Sequence, residues 1–179
     1  HGEVMKLPIQ KAALVLLAIF IQACGTAHIQ SNTVSEDLSK YTSAYISEVD
    51  IQSKEQNGDS LAMNRTIEVY AEEKLTSLIT SSNYSLLKSP VEANSTSLAF
   101  KINLNIIYGS RAARYWAGFG AGKGSVKSLL EVTDSETGTI KYSSSGESDL
   151  TMGAFGGSME SVIKQNIDKL INGYLTSLK

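Results

Sequence analysis

One stretch constrains the fold more than any other: SLAFKINLNIIY, residues 97–108. Leu98, Phe100, Ile102, Leu104, Ile106 and Tyr108 alternate with Ala99, Lys101, Asn103, Asn105 and Ile107. Successive strand residues point to opposite faces, so this period of two buries one face and leaves the other largely polar. That is the pattern of an antiparallel sheet covered on one side. Two stretches with helical period supply the cover. In Leu61–Ser81, residues Met63, Ile67, Tyr70, Ala71, Leu75, Leu78 and Ile79 form one apolar stripe, with Glu68, Glu72 and Glu73 elsewhere. The last stretch has the strongest stripe: Met159, Val162, Ile163, Ile167, Leu170, Ile171, Tyr174, Leu175 and Leu178. Asp59 or Ser60 is expected to cap the first helix and Ser158 the second, where Glu160 favours the helix dipole.

Four further strands are expected. Tyr41–Gln52 places Tyr45, Val49 and Ile51 on one face, and Tyr84–Lys88 is short and ended by Pro90. Ser125–Asp134 is long, and the polar stretch 139–148 follows the turn DSETG. The order is strand, helix, four strands, helix. The expected fold is α/β (α+β): a two-layer sandwich in which a mixed, mainly antiparallel sheet of about five strands carries two amphipathic helices on one face. Residues 41–179 are long enough for one domain with one core.

The chain start points to a compartment. Lys6 and Lys11 follow Met5, and an apolar run extends from Ala12 to Ile21, with the small Ala23 before Cys24. The run is shorter than the roughly 20 residues that span a bilayer. A basic start, a short apolar core and a small residue read as a signal peptide over 1–23, with 1–4 as non-native or early-start residues before Met5. Cys24 is the only cysteine and forms no internal disulfide. The sequence IQAC resembles the lipobox of bacterial lipoproteins: Ile21 and Ala23 fit, while Gln22 departs from the usual small residue. That resemblance implies a diacylglyceryl thioether on Cys24, cleavage before it and acylation, as by palmitate, of the new amino terminus. Gly25, where Asp would favour inner-membrane retention, implies the outer membrane, facing the periplasm. Residues 24–40 are polar after the cysteine, without a sustained period, and are expected to be a lipidated flexible tether.

The stretch RYWAGFGAGKGS, 114–125, invites comparison with phosphate-binding loops. A Walker loop needs glycine where Ala117 stands and a hydroxyl where Gly124 stands; a dinucleotide loop needs glycine at Lys123. The stretch also joins two strands and opens no helix, which removes the anion-binding terminus. No nucleotide and no other cofactor is expected. A net charge of −2 argues against a nucleic-acid partner. From Ala93 to Leu130 there are five cations and no acid: Lys101, Arg111, Arg114, Lys123 and Lys127. Two readings stay open. The aromatics pack back on the sheet edge, or Arg111, Arg114, Tyr115, Trp116, Phe119 and Lys123 form a contact surface of the residue types enriched at interface anchors. Anionic lipid headgroups, cell-wall polymer, an envelope protein and further copies of the chain are candidate partners.

Residues 40–178 resemble an uncharacterised domain of bacterial lipoproteins, domain of unknown function 4410. The resemblance is carried by GFGAG at Gly118–Gly122 before a strand, the D-x-x-T-G turn at Asp134–Gly138, and MGAFGGS before a terminal helix. It implies no catalytic residue. More distantly, the element order is similar to that of curli-secretion-type and cell-wall-synthase-activator lipoproteins, an analogy of fold that carries no function. Both histidines lie outside 41–179, no metal-ligand cluster stands out, and Glu147 and Asp149 lie on a polar strand, so no enzyme is expected. The leading expectation is a non-enzymatic outer-membrane lipoprotein that binds an envelope partner. The alternative is a subunit of a self-assembling envelope or secretion complex that uses the glycine- and aromatic-rich hairpin around Arg114–Ser125 as its oligomer contact.

Overall fold

The computed structural model describes residues 28–33, 38–109, 124–150 and 158–178. The alternating stretch forms β4 (Ser97–Ile107), near the middle of one six-stranded sheet. The other strands are β1 (His28–Thr33), β2 (Ser43–Ser53), β3 (Ser85–Leu86), β5 (Gly124–Asp134) and β6 (Ile140–Leu150). Helix α1 (Gly58–Ser81) connects β2 to β3, and α2 (Met159–Ser177) follows β6 in the chain. The sheet order is β1-β6-β5-β4-β2-β3. Pairs β1/β6, β6/β5 and β5/β4 are antiparallel, whereas β2 lies parallel to both β4 and β3. The two-layer α/β architecture expected from the sequence is present.

Phe100, Ile102, Leu104 and Ile106 of β4 are buried with Leu130 and Val132 of β5. Over them lie Ile67, Ala71, Leu75, Leu78 and Ile79 of α1, and Ile163, Ile167, Leu170 and Tyr174 of α2. The ring of Tyr174 meets Phe100 and Tyr142 edge-on, at centroid distances of 5.3 and 5.0 Å, a favoured aromatic geometry. Both helices therefore cover one face of the sheet.

Three differences from the sequence reading have local causes. First, His28–Thr33, expected in the flexible tether, pairs with β6 as an edge strand. An edge strand is held by backbone hydrogen bonds along one side and needs no apolar face. HIQSNT therefore shows no period of two. Its addition brings the five expected strands, the very short β3 among them, to six. Second, Tyr45 does not share a face with Val49 and Ile51. A bulge between Ile46 and Glu48 leaves Ser47 unpaired, with its Oγ donating to the Phe100 carbonyl at 3.0 Å. One extra residue reverses the alternation, so Val49 and Ile51 join Ile46 against the core. Third, Asn57, rather than Asp59 or Ser60, caps α1. Its side chain accepts from the Ser60 N–H at 2.9 Å, and Ser60 Oγ accepts from the Asn57 N–H at 3.0 Å. This reciprocal capping box satisfies two otherwise orphaned donors. Ser158 caps α2 as expected, accepting from Ser161 N–H at 3.1 Å.

Candidate functional site

Strand directions gather the unusual segments at one end of the sheet. β4 and β2 finish there, β5 begins there, and β6 finishes there, as the pairs Ser53↔Ile106, Ile107↔Ser125 and Gly124↔Leu150 show. Helix α1 starts just beyond β2, and α2 starts after the second glycine-rich stretch. The segment from 110 to 123 leaves and returns at this end.

The base of that segment is built from described residues. Glu55, just past β2, receives two backbone N–H bonds: Tyr108 to Oε2 at 3.0 Å and Gly109 to Oε1 at 3.3 Å. The Tyr108 hydroxyl donates to Asn64 Oδ1 of α1 at 2.6 Å, and Asn64 Nδ2 donates to Ser53 Oγ at 3.0 Å. Burial, with the Glu55 charge adding to it, pushes the Tyr108 hydroxyl up to about 12, so it stays a donor at neutral pH. On the returning side, a side chain at Gly124 would meet Met159 Cε at 2.1 Å and the carbonyls of Ile107 and Tyr108 at 2.9 and 3.0 Å. Gly124 thus lets Met159, the first residue of α2, seat against the start of β5. The base of one glycine-rich segment touches the helix that follows the other.

The predicted contact residues Arg111, Arg114, Tyr115, Trp116, Phe119 and Lys123 lie outside the described residues, as do Cys24 and the second glycine-rich stretch, 153–157. The two remaining cations of the acid-free segment are on the uncovered sheet face, and each has an acidic partner from a neighbouring strand. Lys101 pairs with Glu48, and Lys127 pairs with Glu147 at 3.4 Å. The absence of acids in 93–130 is therefore not an absence of acids around these two lysines. This face holds a shallow depression of about 400 Å³ lined by Asp50, Gln52, Lys101, Asn103, Asn105 and Lys127.

Two polar clusters were not foreseen from the sequence. At the opposite end of the sheet the buried Asp134 organises the DSETG turn. Its Oδ1 accepts from the N–H groups of Glu136 and Thr137 at 3.0 and 2.9 Å, and its Oδ2 accepts from Tyr41 Oη at 2.7 Å. These bonds, the Thr137 N–H foremost and then Tyr41, hold its carboxyl well below the usual carboxylate range. The turn that carries the family resemblance is thus a folding device. Beneath α2, the buried Asn166 accepts from Ser128 Oγ at 2.5 Å and donates to Ser148 Oγ at 2.8 Å. A side chain at Gly146 would approach Asn166 Oδ1 to 2.7 Å. The one available signal was the polar Asn166 standing three residues after Ile163 and four before Leu170, inside an apolar stripe. Among the described residues, no group of three or more His, Cys, Asp or Glu side chains is placed to hold a metal ion. No helix among them is long and apolar enough to cross a membrane.

No family model matches the sequence, and no curated protein matches it. Solved structures of similar fold include the PelC dodecamer from Paraburkholderia phytofirmans, 14% identical over 82% of this chain and 96% of that one, with a TM-score of 0.49. A DUF4136 family protein from Bacteroides thetaiotaomicron is 8% identical over 83% and 96%, with a TM-score of 0.45. Lipoprotein GNA1162 from Neisseria meningitidis is 11% identical over 77% and 99%, with a TM-score of 0.37. At these identities and scores the likenesses assign no activity or partner.

Proposed function

We propose that the chain is a lipid-anchored envelope lipoprotein, held in the outer membrane through Cys24, whose domain is a non-enzymatic binding module. The observation that carries this reading is the lone cysteine placed directly after a short apolar run in an IQAC context. Two or more acyl chains on one residue give stable membrane attachment, where a single chain gives only marginal binding. The resemblance of residues 40–178 to a lipoprotein domain family supports the same compartment. The binding surface is the segment holding Arg111, Arg114, Tyr115, Trp116, Phe119 and Lys123, at the end where both glycine-rich segments attach. The polar groups elsewhere support the non-enzymatic reading. Asp134, Glu55 and Asn166 each spend their hydrogen-bonding capacity on the fold.

Two experiments test this. Cys24→Ser is expected to move the protein from the membrane to the soluble periplasmic fraction or to block processing; normal processing with unchanged membrane attachment rejects the anchor. A photo-crosslinking residue at position 116 is expected to give adducts to an envelope component. Intramolecular products alone reject the contact surface.

One observation favours a second reading, a subunit of a self-assembling complex. The strand β3 covers only Ser43 and Ala44 of β2, and no other described strand pairs with the outer side of β2. An open edge is a template for another chain. A domain that remains monomeric at high concentration in size analysis rejects this reading.

A further inference from the structure

We infer that the domain stands end-on at the bilayer, with the end formed by the β2–α1 connection, the finish of β4 and β6 and the start of α2 against the lipid headgroups. This rests on the anchor at Cys24 proposed above. The argument begins with β1. Because His28 is already paired to Glu147, only Gly25, Thr26 and Ala27 separate the sheet from Cys24. Four chain steps reach at most about 14 Å. A tether running to residue 40 would have let the domain tumble freely; the pairing of β1 removes that freedom.

Direction follows from register. β1 runs antiparallel to β6, so its first residue, His28, lies toward the side of the sheet where β6 finishes at Leu150. Leu150 lies three strand residues beyond Glu147, about 10 Å at strand rise. A tether of at most about 14 Å therefore keeps Cys24 within reach of the level of the last paired residues. An 11-residue strand sets the Asp134 turn at the other end about 35 Å away, beyond the reach of the tether.

At the Leu150 end the backbone presents positive partial charge. Both helices start here, so the positive ends of their dipoles point toward the membrane. Of the acids at this end, Glu55 is bonded to the Tyr108 and Gly109 N–H groups and Glu160 to Lys164 at 2.6 Å, while Asp59 and Asp149 are exposed. In the sequence, residues 110–123 hold Arg111, Arg114 and Lys123 and no acid. End-on placement leaves the uncovered sheet face upright and accessible.

The test uses the mature lipidated protein in vesicles of phosphatidylethanolamine and phosphatidylglycerol that contain a headgroup-nitroxide lipid. Single fluorophores are attached to Asp149→Cys and Lys54→Cys at the near end, on two different strands' ends, and to Glu136→Cys at the far end; all three positions are exposed. A lipidated Cys24 does not take up the label, so each variant carries one reactive thiol. Quenching several-fold stronger at both 149 and 54 than at 136 is the expected result. Strong quenching at 149 alone means the β1 edge faces the lipid and overturns the end-on placement. Equal quenching at all three overturns it as well. A free Cys24 thiol in the mature protein overturns the anchor and the placement together, which separates that failure from the others.

Discussion

The two ends of the sheet solve the same problem in opposite ways. At the Asp134 end, β5 returns as β6 through a short turn, and one buried carboxylate collects two backbone N–H groups and the Tyr41 hydroxyl. At the other end, β4 returns as β5 only after residues 110–123, and the carboxylate of Glu55 holds the departing backbone without closing a turn. One end invests a charged side chain in making a turn compact. The other uses one to pin the base of a long segment. The difference teaches where variation in sequence costs stability and where it changes contact chemistry.

The largest expected effect is at the closed end. Asp134→Ala leaves two backbone donors and a buried hydroxyl without their acceptor, at a cost of about 3 kcal/mol, measured by denaturant unfolding. Its pH dependence has a definite sign. The folded carboxyl sits below its ordinary value near 4, so its stabilisation is present above pH about 4 and is lost as pH falls through the folded value. Asp134→Asn should flatten that acid limb; an unchanged acid limb breaks the contrast between the ends.

At the open end the same deletion should cost less. Glu55→Ala, half-buried at the base of the segment, is expected to lose about 1 kcal/mol. It should speed hydrogen exchange at the amides of Tyr108 and Gly109 while leaving those of Glu136 and Thr137 unchanged. Equal acceleration at both ends would show that the ends are not independent. Tyr108→Phe removes the bond to Asn64 and is expected to cost up to about 1 kcal/mol. In the parent, Tyr108 ionises near 12 rather than 10, so its contribution is complete below pH about 10 and fades as pH rises toward 12; the parent-minus-variant difference in stability should shrink over that window. The smallest effect belongs between the ends. Lys127→Ala breaks an exposed pair with Glu147 and should change stability by no more than about 0.5 kcal/mol.

Much of the fold was legible because its signals are local. The stripe from Met63 to Ile79 and the stripe from Met159 onward are helical periods that any core-facing helix must show. The candidate site was legible only as composition. Arg114, Tyr115 and Trp116 are residue types on which a contact surface is proposed, but neither the bonds of Glu55 to Tyr108 and Gly109 nor the opposition of Gly124 and Met159 has a local signature. The acid-free segment misled for the same reason: the partners of Lys101 and Lys127 stand on β2 and β6, far away in sequence.

By itself, the sequence determined which stretches must be buried. Alternation and helical stripes are set by the geometry of a single strand or helix and need no knowledge of what lies opposite. It also placed one cysteine behind an apolar run, the pattern on which the anchor is proposed. Tertiary structure alone decided that HIQSNT is a strand, that Ser47 reverses the alternation of β2, and that both glycine-rich segments attach at one end. These depend on backbone hydrogen bonds and register between residues distant in the chain. A backbone donor looks the same at every position in a sequence, so only the assembled sheet decides which ones are paired.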